Sequence, residues 1–137
     1  MESGLSILLI DDEEDFIRTL ATRLELRGMR PRVAFSGMQG LEELEKEQPD
    51  VILLDMRMPA LSGLEVLRRI RADRPELPVM IITGHCSEQD RDKALELGVQ
   101  GYYSKPVPFD DLLGSLRILQ NPSGGGLPRI CSADKNM

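Results

Sequence analysis

Short apolar runs alternate with longer amphipathic stretches along almost the whole chain. Leu5-Ser6-Ile7-Leu8-Leu9-Ile10, Val51-Ile52-Leu53-Leu54, Leu77-Pro78-Val79-Met80-Ile81-Ile82 and Gly101-Tyr102-Tyr103-Ser104 are such runs, each bounded by turn-forming residues. Runs of this length without polar alternation predict strands buried on both faces. Pro31-Arg32-Val33-Ala34-Phe35 instead alternates and starts with proline, which predicts a half-buried or edge strand.

The stretches between the runs have helical spacing. Phe16, Ile17, Leu20, Ala21 and Leu24 form one stripe, with Gly28 as its stop. Ser36-Gly37-Met38-Gln39 and Ser62-Gly63-Leu64-Glu65 read as capping boxes opening the second and third helices. Ser87 caps a fourth helix that runs to about Leu97. Its apolar stripe is thin (Ala94, Leu95, Leu97), so it is expected to be the least firmly packed. Phe109, Leu112, Leu113, Leu116 and Leu119 mark a final helix, with Val107-Pro108 blurring its start. Five strands alternating with five helices imply right-handed crossovers and a parallel sheet covered on both faces. From Asn121 the composition changes to Pro122-Ser123-Gly124-Gly125-Gly126 and no periodicity returns. The expected division is therefore a domain over 1–120 and a disordered tail or the start of a linker over 121–137.

Composition narrows the classes. A chain of 137 residues with 41% apolar and 29% charged residues suits one soluble globular domain. The net charge of -6 argues against direct nucleic-acid binding. Arg68, Arg69, Arg71 and Arg74 accordingly read as a solvated basic helix face. No apolar run approaches the roughly 20 residues of a membrane helix, and the N-terminus lacks the form of a signal peptide. A cytoplasmic protein is expected. Cys86 and Cys131 show neither metal-ligand spacing nor a disulfide framework and read as two reduced thiols. There is no Gly-rich dinucleotide loop, no Walker loop and no His/Cys cluster.

The chemistry gathers at the strand ends. The first strand runs into Asp11 and Asp12, the third into Asp55, the fourth into Thr83, and Lys105 follows the fifth. In a doubly wound sheet all of these lie at one edge. Three neighbouring carboxylates raise one another's pKa unless a cation neutralises them, and a hard divalent ion takes oxygen ligands together with phosphate. Lysine is a point-charge phosphate binder and the threonine hydroxyl a donor. Carboxylates, a divalent ion, Lys and Thr together describe phosphoryl transfer onto an aspartate.

Paired acids, Asp55 followed by Met58-Pro59 and Gly63, then Thr83-Gly84 and Lys105-Pro106, each after its own apolar strand, resemble the receiver domain of bacterial two-component response regulators. The resemblance spans about Leu5 to Leu119 and implies a flavodoxin-like (βα)5 fold with a parallel sheet of order 2-1-3-4-5. It implies that Asp55 accepts a phosphoryl group from the phosphohistidine of a sensor histidine kinase. It further implies Mg²⁺ (or Mn²⁺) held by Asp12, Asp55 and the Arg57 carbonyl, with Asp11 acting through water. Lys105 would bind the phosphoryl group, Thr83 and Tyr102 would act as switch residues, and the Lys105–Pro106 bond would be cis. Pro59 and Gly63 would shape the turn beside the site. The domain would catalyse only its own phosphotransfer and autodephosphorylation. Partner binding, homodimerisation or contact with an output domain would use the fourth helix, last strand and last helix.

Two other readings are weighed. An aspartyl-nucleophile, Mg²⁺-dependent phosphatase resembling haloacid dehalogenases would need Asp-x-Asp after the first strand, where the chain has Asp11-Asp12-Glu13, and a cap insertion. A vestigial interaction module is opposed by the intact acid, Thr and Lys set. His85 reads as a loop bystander, and the Arg57 side chain is expected to overhang the site and tune phosphoryl lifetime.

Overall fold

The computed structural model describes residues 4–120. Strands β1 (Ser6–Ile10), β2 (Arg30–Ala34), β3 (Val51–Leu54), β4 (Val79–Thr83) and β5 (Gly101–Ser104) alternate with helices α1 (Glu14–Glu25), α2 (Gly37–Lys46), α3 (Gly63–Asp73), α4 (Glu88–Glu96) and α5 (Phe109–Gln120). The strands are parallel in the order β2-β1-β3-β4-β5. The expected flavodoxin-like topology is thus the observed one. The tail over 121–137 lies outside the described residues.

Strand alternation divides the core into two layers. Leu8, Ile10, Ile52, Leu54, Val79, Ile81 and Tyr102 pack with Leu44, Val66, Leu67, Ile70 and Ala94 from α2, α3 and α4. Ile7, Leu9, Val51, Leu53, Met80, Ile82 and Tyr103 pack with Ile17, Leu20, Leu24, Leu112 and Leu116 from α1 and α5. The adjacent tyrosines therefore serve opposite faces, and the Tyr103 hydroxyl is hydrogen-bonded to Ser115 of α5. Pro31 sits in the edge strand, where a missing N–H is tolerated. Pro108 does not blur α5, because its carbonyl accepts from the Asp111 and Leu112 amides at 3.1 and 3.2 Å.

The caps follow the sequence with one exception. Ser36 accepts from the Gln39 amide while the Gln39 side chain reaches back to the Phe35 amide at 2.6 Å. Ser62 accepts from the Glu65 amide, but the Glu65 carboxylate turns away to Arg69 at 3.2 Å, so only half of the second capping box forms. Ser87 caps α4 through the Asp90 amide at 3.1 Å. Of the residues in α4 only Ala94 is buried, as its thin stripe implies.

The basic face of α3 is not uniformly solvated. Arg68 and Arg69 pair with Glu65 at the surface. Arg71 instead donates to the carbonyls of Leu97 (2.6 Å), Leu77 (2.7 Å), Gly98 (3.1 Å) and Arg74 (3.3 Å). Its planar fork fastens the C-terminal end of α4, where a cation also suits the helix dipole. The spacing of arginines along α3 carries no trace of this, because the acceptors are backbone carbonyls. Of the two cysteines, Cys86 is half-buried in the loop before α4, and Cys131 lies outside the described residues.

Replacing Arg71 by Met keeps the aliphatic stem and removes every one of these bonds. Charge-assisted hydrogen bonds contribute about 1.5–3 kcal/mol each, so a net loss of about 2–3 kcal/mol is expected after partial rehydration of the carbonyls. Arg71→Lys should recover little of it, since an ammonium does not span four carbonyls. Urea unfolding followed by far-UV circular dichroism measures this, and a variant as stable as the parent would contradict the role given to Arg71.

Candidate functional site

The C-terminal ends of β1, β3, β4 and β5 converge on one cleft of about 200 Å³ lined by Asp12, Glu13, Asp55, Arg57, Gly84, His85 and Lys105. A larger groove of about 390 Å³ between α1 and α5 is mainly apolar, lined by Phe16, Leu20, Val107, Phe109 and Leu112. The chemistry belongs to the smaller cleft, because the strand-end carboxylates and Lys105 face it.

Parallel register carries the acids there. Ile10 pairs with Leu54, so the residues after them, Asp11 and Asp55, leave neighbouring strands side by side. The Asp55 amide still donates to the Ile10 carbonyl at 3.0 Å, which keeps the ladder closed up to the site. One oxygen each from Asp11, Asp12 and Asp55 lie within 4.8 Å of one another. Asp11 and Asp55 are buried while Asp12 is exposed. Three hard oxygen donors at this spacing fit a divalent cation such as Mg²⁺.

Burial and crowding show in the protonation chemistry. The Asp11 carboxyl is pushed up from 3.8 to about 6, first by burial and further by the Asp55 charge, against the hydrogen bonds from Lys105 and the Glu13 amide. Asp55 is also raised, mainly by burial with a smaller push from Asp12, while Lys105, the Thr83 hydroxyl and the Arg57 amide favour its charged form. For Lys105, burial disfavours the ammonium, but its hydrogen bonds to Asp11 and Glu13 outweigh that and raise its pKa.

Lys105 Nζ lies 2.9 Å from Asp11 Oδ2, is ion-paired with Glu13, and stands 4.4 Å from the centre of the Phe16 ring. The Lys105–Pro106 peptide is cis. Thr83 is fully buried, and its Oγ1 accepts from the His85 amide at 3.1 Å. His85 itself is exposed on the loop. The turn after Asp55 is tight: the Gly63 amide donates to the Met56 carbonyl at 3.0 Å, and a Cβ at Gly63 would collide with the Asp55 carbonyl oxygen and Met56 Cα. Between them, after Pro59, Ala60 adopts φ 68°, a left-handed conformation costly for a non-glycine residue.

Arg57 lines the cleft and reaches α4 from it. Its guanidinium pairs with Asp90 Oδ2 of α4 through Nε and NH2, both at 3.2 Å. Tyr102 points inward, fully buried, and its hydroxyl has no hydrogen-bond partner among the described residues. Burial and the Asp90 charge push its pKa up to about 12. Glu13 was missed as a site residue. In the sequence it is one acid in a run that helix-dipole preference already explains, and only the fold reveals that Lys105 meets it.

Comparison with known proteins agrees with this geometry. The family profile described as response regulator receiver domain matches residues 7–117. The chain is 36% identical over 124 residues to the uncharacterized transcriptional regulatory protein YkoG of Bacillus subtilis, covering 90% of this chain and 54% of that protein. It is 34% identical over 116 residues to the response regulator MprA of Mycobacterium ulcerans, covering 85% of this chain and 50% of that one. It thus spans about half the length of the curated relatives it matches. Among solved structures, a CheY-like response regulator receiver domain protein from Methanospirillum hungatei superposes with a TM-score of 0.83 at 28% identity, covering 90% of this chain and 100% of the other. No helix among the described residues is long and apolar enough to cross a membrane. With the profile matched across nearly the whole sheet and every strand in the family's order, the chain belongs to the response regulator receiver domains of two-component signalling systems.

Proposed function

We propose that Asp55 is the phosphoacceptor of this domain and takes its phosphoryl group from the phosphohistidine of a sensor histidine kinase. The observation that carries the reading is the meeting of three carboxylates within 4.8 Å with Lys105 and Thr83 at the same sheet edge. An Asp55 oxygen attacks phosphorus, the N–P bond to the donor imidazole breaks, and the imidazole leaves with its electron pair and takes up a proton. Asp12, Asp55 and the Arg57 carbonyl are the residues that would hold Mg²⁺ (or Mn²⁺), with Asp11 acting through water. Such an ion, when bound, neutralises the negative charge that builds up on the transferring group. Lys105 then binds the phosphoryl oxygens, and the Thr83 hydroxyl donates to them.

The same contacts form the switch. Two charge-assisted hydrogen bonds contribute about 3–6 kcal/mol in all, and inverting a 1:99 equilibrium takes about 5.5 kcal/mol. The element most easily biased is α4, with Ala94 its sole buried residue. A regulated partner, a second copy or an output domain would read the face of α4, β5 and α5. A phosphatase reading is not favoured, because Glu13 stands where Asp-x-Asp has its second aspartate and is ion-paired with Lys105.

Incubation with a small phosphodonor and Mg²⁺ should add one phosphoryl group to the intact protein by mass spectrometry. Asp55→Asn should abolish the gain, while Thr83→Ala should keep it and lose the conformational response. Equal labelling of Asp55→Asn and the parent would remove the assignment.

Divalent-ion binding should also be pH-dependent with a predictable sign. Ligand carboxylates must be ionised, and Asp11 in the folded protein titrates near 6 rather than 3.8. Mg²⁺ affinity, followed by amide chemical shifts, should therefore fall as pH drops through about 6. Without the ion, the folded state binds more protons than the unfolded one between these values, so the Asp11 contribution to stability falls as pH rises through them. An Mg²⁺ affinity unchanged down to the ordinary carboxylate range would contradict both statements.

A further inference from the structure

Lys105 is fully engaged before any phosphoryl group reaches it. An ammonium has three protons to donate, and here it meets the Asp11 carboxylate at 2.9 Å, the Glu13 carboxylate, and the face of Phe16 at 4.4 Å. Its side chain is only 13% exposed, so an arriving anion has to displace a partner.

The partners differ in how readily they leave. Asp11 is buried among the other site carboxylates, and its Oδ1 accepts from the Glu13 amide at 2.9 Å, which fixes it in place. Phe16 carries no charge to repel a phosphoryl group. The Glu13 carboxylate is 62% exposed and regains water the moment it lets go. Its position is also purposeful. Glu13 stands just before α1, where a side chain often caps the helix, yet it makes no capping hydrogen bond. Instead its backbone is held by Asp11 and its side chain crosses to Lys105, 92 residues further along the chain.

We infer that Glu13 is a positioning residue for Lys105, held by it until a phosphoryl group arrives and then exchanged for that group. The inference rests on the reading of Asp55 and Lys105 given above and adds a built-in competitor to it. Glu13 opposes the phosphorylated form twice: it occupies the cation that the phosphoryl oxygens need, and it places a like charge beside them. The identity of this side chain therefore sets how tightly the site holds a phosphoryl group.

Beryllofluoride, an anion shaped like an aspartyl phosphate, provides the test on the full chain in saturating Mg²⁺, with affinity read from amide chemical shifts. An ion pair with one exposed member is worth a few-fold in affinity, so Glu13→Gln should bind the anion about threefold or more tightly than the parent. Glu14→Gln makes the same charge change one residue later, at a side chain paired with Arg18 on the surface, and should bind like the parent. A purely structural Glu13 would give unchanged or weaker binding on substitution, and that result overturns the exchange. Equal tightening by Glu13→Gln and Glu14→Gln also overturns it, since net charge alone would then explain the gain. A parent protein that binds no beryllofluoride at all would sink the phosphoacceptor reading together with the inference built on it.

Discussion

Everything at the functional edge of this domain depends on holding like charges together where water is scarce. Two buried carboxylates, Asp11 and Asp55, come from adjacent strands, with Asp12 beside them. Left alone, such a group relieves itself by taking up protons, and the raised pKa values of Asp11 and Asp55 record that pressure. Lys105 offsets part of it from the end of β5, and a divalent cation would offset the rest. A site under this electrostatic tension is sensitive to any change in charge beside it.

The scaffold keeps that tension from spreading through the fold. Continuous parallel hydrogen bonding runs up to Asp55, and two apolar layers clamp the sheet from both sides. Rigidity ends at α4. Its C-terminal end is fastened to α3 by the Arg71 guanidinium, and its first turn is tied to the loop after Asp55 by the Arg57–Asp90 pair. Polar contacts hold α4 at both ends, and between them Ala94 is its sole buried residue. The inward Tyr102 ring lies under this region, its hydroxyl buried without a hydrogen-bond partner among the described residues.

Legibility in the sequence tracked the range of the interactions. Apolar runs, serine caps and the glycine after α1 act within a few residues and could be read directly. The Glu65 half of the second capping box failed because Arg69 competes for the same carboxylate. Arg71 and Glu13 resemble ordinary surface charges in the sequence, and nothing in it names Asp90 as the partner of Arg57. The contacts Arg71–Leu97, Arg57–Asp90 and Glu13–Lys105 span 26, 33 and 92 residues, respectively, and nothing local encodes such pairings.

The sequence by itself determined the fold class, the strand order through the family resemblance, and the set of strand-end residues Asp11, Asp12, Asp55, Thr83 and Lys105. Hydrophobic periodicity specifies elements, and a parallel sheet necessarily delivers its strand ends to one edge. Only the tertiary structure decided who touches whom at that edge: that Lys105 is shared between Asp11 and Glu13, that Arg57 pairs with Asp90 of α4, and that Tyr102 is turned inward. Side-chain pairing between distant segments depends on register, burial and competition among charges, and these exist only once the chain has folded.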